Sequence, residues 1–74
     1  SMELTQDIGK KTLLSMISKA IAKSGLIKLP NGETFFISNG EVVRSDDDGH
    51  RRLVKFFKKR HLRTLLDKIS QTNK

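Results

Sequence analysis

The chain of 74 residues has no cysteine, tryptophan or tyrosine, one proline, and four phenylalanines as its only aromatic residues. Without cysteine there are no disulfides, thiolate zinc sites or cysteine nucleophiles. This fits a reducing, intracellular compartment, cytoplasm or nucleus. No apolar run approaches the roughly 20 residues of a membrane span, and no signal-peptide apolar region is visible. Ser1-Met2 reads as a protease remnant before an initiator methionine. Groups for catalysis are scarce too. His50 follows three aspartates and His61 sits among cations. No serine lies in a nucleophile-elbow context and no glycine-rich loop resembles a phosphate-binding loop. Asp46-Asp47-Asp48 lacks the alternate spacing and distant glutamate of a calcium loop. The expectation is a non-enzymatic protein with no cofactor and no metal.

Acids are missing from one long stretch, with none between Asp48 and Asp67. The net charge of +7 is therefore concentrated. Residues 1–50 carry six Lys/Arg against seven Asp/Glu, whereas residues 51–74 carry nine against Asp67 alone. Positive charge gathered in this way points to a polyanionic partner: nucleic acid, an acidic protein or an anionic membrane surface.

Residues 5–24 predict a helix, with Leu13, Leu14, Ile17, Ala20 and Ile21 as one apolar stripe. Thr5 is its expected N-cap, Asp7 its first-turn acid and Gly25 its left-handed stop. Residues 26–30, 33–38 and 41–44 predict three strands of an antiparallel meander. Asn31-Gly32 and Asn39-Gly40 supply two-residue type I′ turns between them. Such turns set Lys28 opposite Phe35 and Phe35 opposite Arg44. Ile27, Leu29, Phe36 and Val43 then form the expected core face. Leu26, Lys28, Phe35, Ile37, Val42 and Arg44 take the other, an apolar face on which Lys28 and Arg44 flank a phenyl ring.

The last segment, 46–70, reads as helical, with the three aspartates capping its start. Its apolar residues do not form one stripe. Leu53, Phe56 and Phe57 point one way, and Leu62, Leu65, Leu66 and Ile69 are rotated away from them. Either the helix splits near Lys58-Lys59-Arg60-His61, or it is continuous and presents a second surface to another chain. The second reading is favoured, with a homodimer as its commonest form. It makes Leu62, Leu65, Leu66 and Ile69 an interface.

The fold class expected is α+β, a single small domain of order α-β-β-β-α. This order resembles that of double-stranded-RNA-binding domains in topology, and SDDDGHRRLVKFF puts arginines where that family carries a lysine cluster. It departs from the family by placing three acids in front of them. The primary functional expectation is nucleic-acid binding, duplex DNA before RNA. Arg51, Arg52, Lys55, Lys58, Lys59, Arg60 and Arg63 would lie on phosphates, with Lys28, Arg44 and Phe35 contributing from the sheet. Arg52, Lys55, Lys59 and Arg63 fall on one face of a continuous helix. The alternative is a protein-interaction or oligomerisation module with an acidic partner or a second copy. A membrane surface is the third and least favoured, because the basic helix is needed to cover the sheet.

Overall fold

The computed structural model describes residues 8–72. Helix α1 spans Lys10–Ser24, followed by strands β1 Leu26–Lys28, β2 Thr34–Ser38, β3 Glu41–Ser45 and β4 Arg51–Leu53. A single 3₁₀ turn, Val54–Phe56, leads to helix α2, Lys59–Thr72. The sheet is an antiparallel meander of four strands in the order β1-β2-β3-β4. The α+β class and the meander agree with the sequence reading. The three-strand count does not.

Helix α1 buries the stripe its spacing dictates. Leu13, Ile17 and Ile21 lie four residues apart and are fully buried. Gly25 ends the helix at φ 86°, donating its N–H to the Ile21 carbonyl at 2.7 Å. The helix starts at Lys10 after Gly9, which offers no side-chain cap. The expected start at residue 5 and the roles given to Thr5 and Asp7 lie outside the described residues.

The β2–β3 turn is as expected. Asn39 and Gly40 both have positive φ, 53° and 78°, and Ser38 pairs with Glu41. That register sets Phe35 opposite Arg44, also as expected. The β1–β2 connection differs. Gly32 donates to the Leu29 carbonyl at 3.0 Å, Leu29 donates to Glu33 at 2.8 Å, and only Gly32 has positive φ. This is a three-residue loop, Pro30 to Gly32, closed by a left-handed glycine. Pro30 favours it, because its fixed φ suits the second position of a turn and it has no N–H for a ladder.

The extra loop residue shifts the register by one, so Lys28 pairs with Thr34 and Ile27 with Phe35. A one-residue slip exchanges the faces. Ile27 and Leu29 do face the core, but their partners there are Phe35 and Val42, not Phe36 and Val43. Lys28 is consequently on the opposite face from Phe35 and does not flank its ring.

The segment expected to open the last helix is a hairpin. One carboxylate oxygen of Asp46 accepts the N–H groups of Asp48 at 3.0 Å and His50 at 2.8 Å, and Gly49 takes φ 82°. The acid that was expected to cap a helix organises a turn instead, the other common use of aspartate next to free N–H groups. β4 follows and pairs with β3 through Val43–Leu53, Arg44–Arg52 and Ser45–Arg51. The apolar stripes of residues 51–70 diverge because only Lys59–Thr72 is α-helix, while Arg51–Leu53 is a strand and Val54–Phe56 a 3₁₀ turn, so neither a split into two helices nor one continuous helix describes the segment.

Both helices lie against one face of the sheet. Ile27, Leu29, Phe35 and Val42 from the sheet side join Leu13, Ile17 and Ile21 of α1 and Leu62, Leu65, Leu66 and Ile69 of α2 in one buried cluster. Val54, in the 3₁₀ turn, is completely buried beneath it. Burying each such side chain is worth about 1.5–3 kcal/mol. The other sheet face carries a cross-strand row, Leu26–Phe36–Val43–Leu53. Leu26 at the end of that row is 58% exposed.

Candidate nucleic-acid interface

The cations of the C-terminal third are not arrayed along one helix. β4 contributes Arg51 and Arg52, the 3₁₀ turn contributes Lys55, and Lys58, Lys59, Arg60 and Arg63 cluster around the start of α2. The hairpin turn at Asp46 thus folds the basic run into a strand, a turn and a helix end along one border of the molecule. Of Arg52, Lys55, Lys59 and Arg63, only Lys59 and Arg63 share a helix face.

Successive strand residues point to opposite faces, so the two arginines part company. Arg51 lies on the open face, its guanidinium carbon 5.4 Å from the centre of the Phe36 ring. Arg52 lies on the helix-bearing face, 5.6 Å from the Phe57 ring. Lys55 is 5.4 Å from the Phe56 ring, and Phe56 is 61% exposed. Three cations therefore sit over rings along this border, an interleaving of charge and flat apolar surface. Exposed pairs of this kind contribute about 0.5–1 kcal/mol each.

The start of α2, like that of α1, carries cations and no acid. The Lys58 carbonyl accepts the N–H groups of His61 at 2.9 Å and Leu62 at 3.0 Å, which puts Lys58 at the N-cap position. The first turn contains no acid. It reads Lys59, Arg60, His61, at the end of the helix where the macrodipole is positive and free N–H groups await acceptors. A cation there typically costs some 0.3–1 kcal/mol relative to an anion. An anionic ligand at that end would reverse the sign of that cost.

Arg44 bonds Glu33 at 3.1 Å and Lys55 bonds Glu41 at 2.6 Å. Glu33 is itself fixed by Asn31, whose side chain both donates to its carboxylate and accepts its N–H. Arg44 Nε is buried with no hydrogen-bond partner.

Between the start of α2 and the sheet lies an open cleft of about 530 Å³. Leu29, Phe35 and Leu65, all buried, line its apolar part. Arg44, Arg52, Lys58 and Lys68 supply its positive charge, Glu33 is its one acid and His61 adds an imidazole.

The sequence-predicted residues are therefore divided by the fold. Arg52 and Lys58 belong to both border and cleft, and Arg44 and Phe35 belong to the cleft. Arg51, Lys55, Lys59, Arg60 and Arg63 belong to the border alone, and Lys28 stands apart on the open sheet face. Leu62, Leu65, Leu66 and Ile69, expected at an interface, are buried in the chain's own core. Phe57, His61 and Lys68 line the cleft without having been singled out for it. Placing the helix break at Phe57-Lys58 would have found the first two.

Asp46, Asp48 and His50 bring potential metal ligands within 4.8 Å of one another. Their geometry is already accounted for by the turn, since the second Asp46 oxygen contacts the His50 ring at 3.2 Å. The N–H of His50 holds the Asp46 pKa below the usual carboxylate value. Among the described residues no helix is long and apolar enough to cross a membrane. No family model matches the chain, and no curated protein or solved structure is significantly similar to it.

Proposed function

We propose that this protein is a non-enzymatic nucleic-acid-binding module that grips phosphates with the border formed by β4, the 3₁₀ turn and the start of α2. The observation that carries this reading is the first turn of α2, where Lys58, Lys59, Arg60 and His61 surround the positive helix end with no acid among them. The arrangement opposes helix stability and favours an anion held by backbone N–H groups and side chains together. Arg51 and Arg52 extend the charge along the adjacent strand.

Duplex DNA is the preferred partner. Arg60 and His61 are exposed at the N-terminal end of α2, the part of a helix that reaches base edges in the wide major groove of B-form DNA. The deep, narrow major groove of A-form RNA does not admit it. Titration of the protein into labelled duplex DNA, duplex RNA and single-stranded DNA at low salt tests this. The expected order of affinity is duplex DNA, then single strand, then duplex RNA. No binding to any of the three contradicts the reading.

A second reading has its own observation. The row Leu26–Phe36–Val43–Leu53 is an apolar strip on the sheet face opposite the helices. A sheet apolar on both sides is commonly covered on both, and a protein partner or second copy would cover this one. Light scattering tests for the second copy. The dimer expected on the strength of the last helix has no such support, since that helix uses its apolar side in the core.

A further inference from the structure

The cleft beside the cationic border is larger and less polar than a phosphate needs. Its volume of about 530 Å³ falls in the range of roughly 300–1,000 Å³ typical of small-ligand sites. A phosphate alone would leave the partly exposed Phe57 ring, which lies over the buried floor of Leu29, Phe35 and Leu65, facing water. A purely apolar ligand would desolvate Arg44, Arg52 and Lys58 without offering them an acceptor. A ligand that satisfies both halves has a flat apolar body and an anionic group attached to it. Two details agree. Glu33 engages Arg44 through Nη1, while its buried Nε is left without an acceptor, and such a donor favours a ligand that brings one. Arg52 lies over the Phe57 ring beside the cleft, and base stacking uses just such guanidinium and aromatic planes.

We propose that the cleft seats one unpaired nucleotide of a nucleic-acid strand, its base beside the Phe57 ring above the buried floor of Leu29, Phe35 and Leu65, and its phosphate at Arg44, Arg52 and Lys58. This rests on the nucleic-acid reading of the border, which shares Arg52 and Lys58 with the cleft. The border holds the duplex and the cleft takes the nucleotide that has left the stack or extends beyond its end.

The test compares a blunt 12-base-pair DNA duplex with the same duplex carrying one unpaired 3′ adenine, at equal salt. The wild-type protein is expected to bind the overhang duplex about tenfold more tightly, the worth of one stacked base. Thr64→Trp, which fills the cleft from an exposed position on α2, should bring the overhang affinity down to the blunt value. Arg60→Glu, outside the cleft, should weaken both duplexes alike. Equal wild-type affinity for the two duplexes overturns the cleft inference and leaves the border reading standing, without recourse to any variant. Failure to bind either duplex overturns both. Displacement of the overhang preference by AMP at high concentration supports a nucleotide seat. AMP saturating the cleft while the overhang gives no advantage overturns the proposal in favour of a free nucleotide. Stronger displacement by hexaglutamate than by AMP overturns it in favour of an acidic peptide.

Discussion

The first 45 residues and the last 24 obey different rules. From α1 to β3 the packing and turn residues support the fold, although α1 too begins on cations, Lys10 and Lys11, with no acid in its first turn. The helix buries a regular stripe, glycines stand where φ is positive, and Arg44 has an acid at bonding distance. From Arg51 onwards the fold is kept but the charge is not optimised. An acid-free run of 18 residues crosses the strand, the turn and the first two turns of α2. Natural sequences break local rules mainly where function needs it. On the proposed reading, this departure marks the C-terminal third as the binding region.

The largest expected effect breaks the first region. Leu13→Ala or Ile17→Ala empties a fully buried site of α1 and should cost about 2–5 kcal/mol. That is a large part of the ~5–15 kcal/mol available to a small domain, and urea denaturation will show it. The comparison predicts an opposite sign in the second region. Lys58→Asp with Arg60→Glu supplies a cap and favourable first-turn charge, so stability should rise by about 1–2 kcal/mol while nucleic-acid binding falls steeply. A destabilised double variant would mean that these cations serve the fold.

Gly32→Ala should cost roughly 1–3 kcal/mol, read from the thermal midpoint. At φ 92° a side chain is strained, and its Cβ would run into the Asp47 carboxylate. The Asp46 turn gives a pH signature. Its pKa is lowered in the folded state, so its stabilising contribution is complete above the ordinary carboxylate pKa and is lost as pH falls through the folded value. Asp46→Ala should lower the thermal midpoint at neutral pH and flatten its fall in acid. The smallest effect belongs to Glu41→Gln. Its partner Lys55 is half exposed, and such surface pairs are worth less than about 1 kcal/mol.

What the sequence disclosed follows the range of the interactions involved. α1 and the Asn39-Gly40 turn were legible because periodicity and turn chemistry are local. The Asn31-Gly32 turn misled because Pro30 competes with it for the turn type, and one residue of loop exchanged Phe36 for Phe35 in the core. β4 was missed for a related reason. Aspartates before a basic run serve equally as helix caps or as Asx turns, and only the pairing of Leu53 with Val43, ten residues away, decides between them. The basic border was visible as composition. The cleft was not, because it needs Leu29, Arg44 and His61 brought together from three elements.

The salt dependence of duplex DNA binding, for the wild type and for Lys58→Asp/Arg60→Glu, tests the central claim most directly. Each phosphate neutralised contributes a slope of about −0.9 in log K against log salt. A border of cations lying on phosphates predicts a steep wild-type slope, and loss of Lys58 and Arg60 predicts a slope shallower by roughly 2. A wild-type affinity indifferent to salt, or a slope unchanged in the variant, would contradict the account.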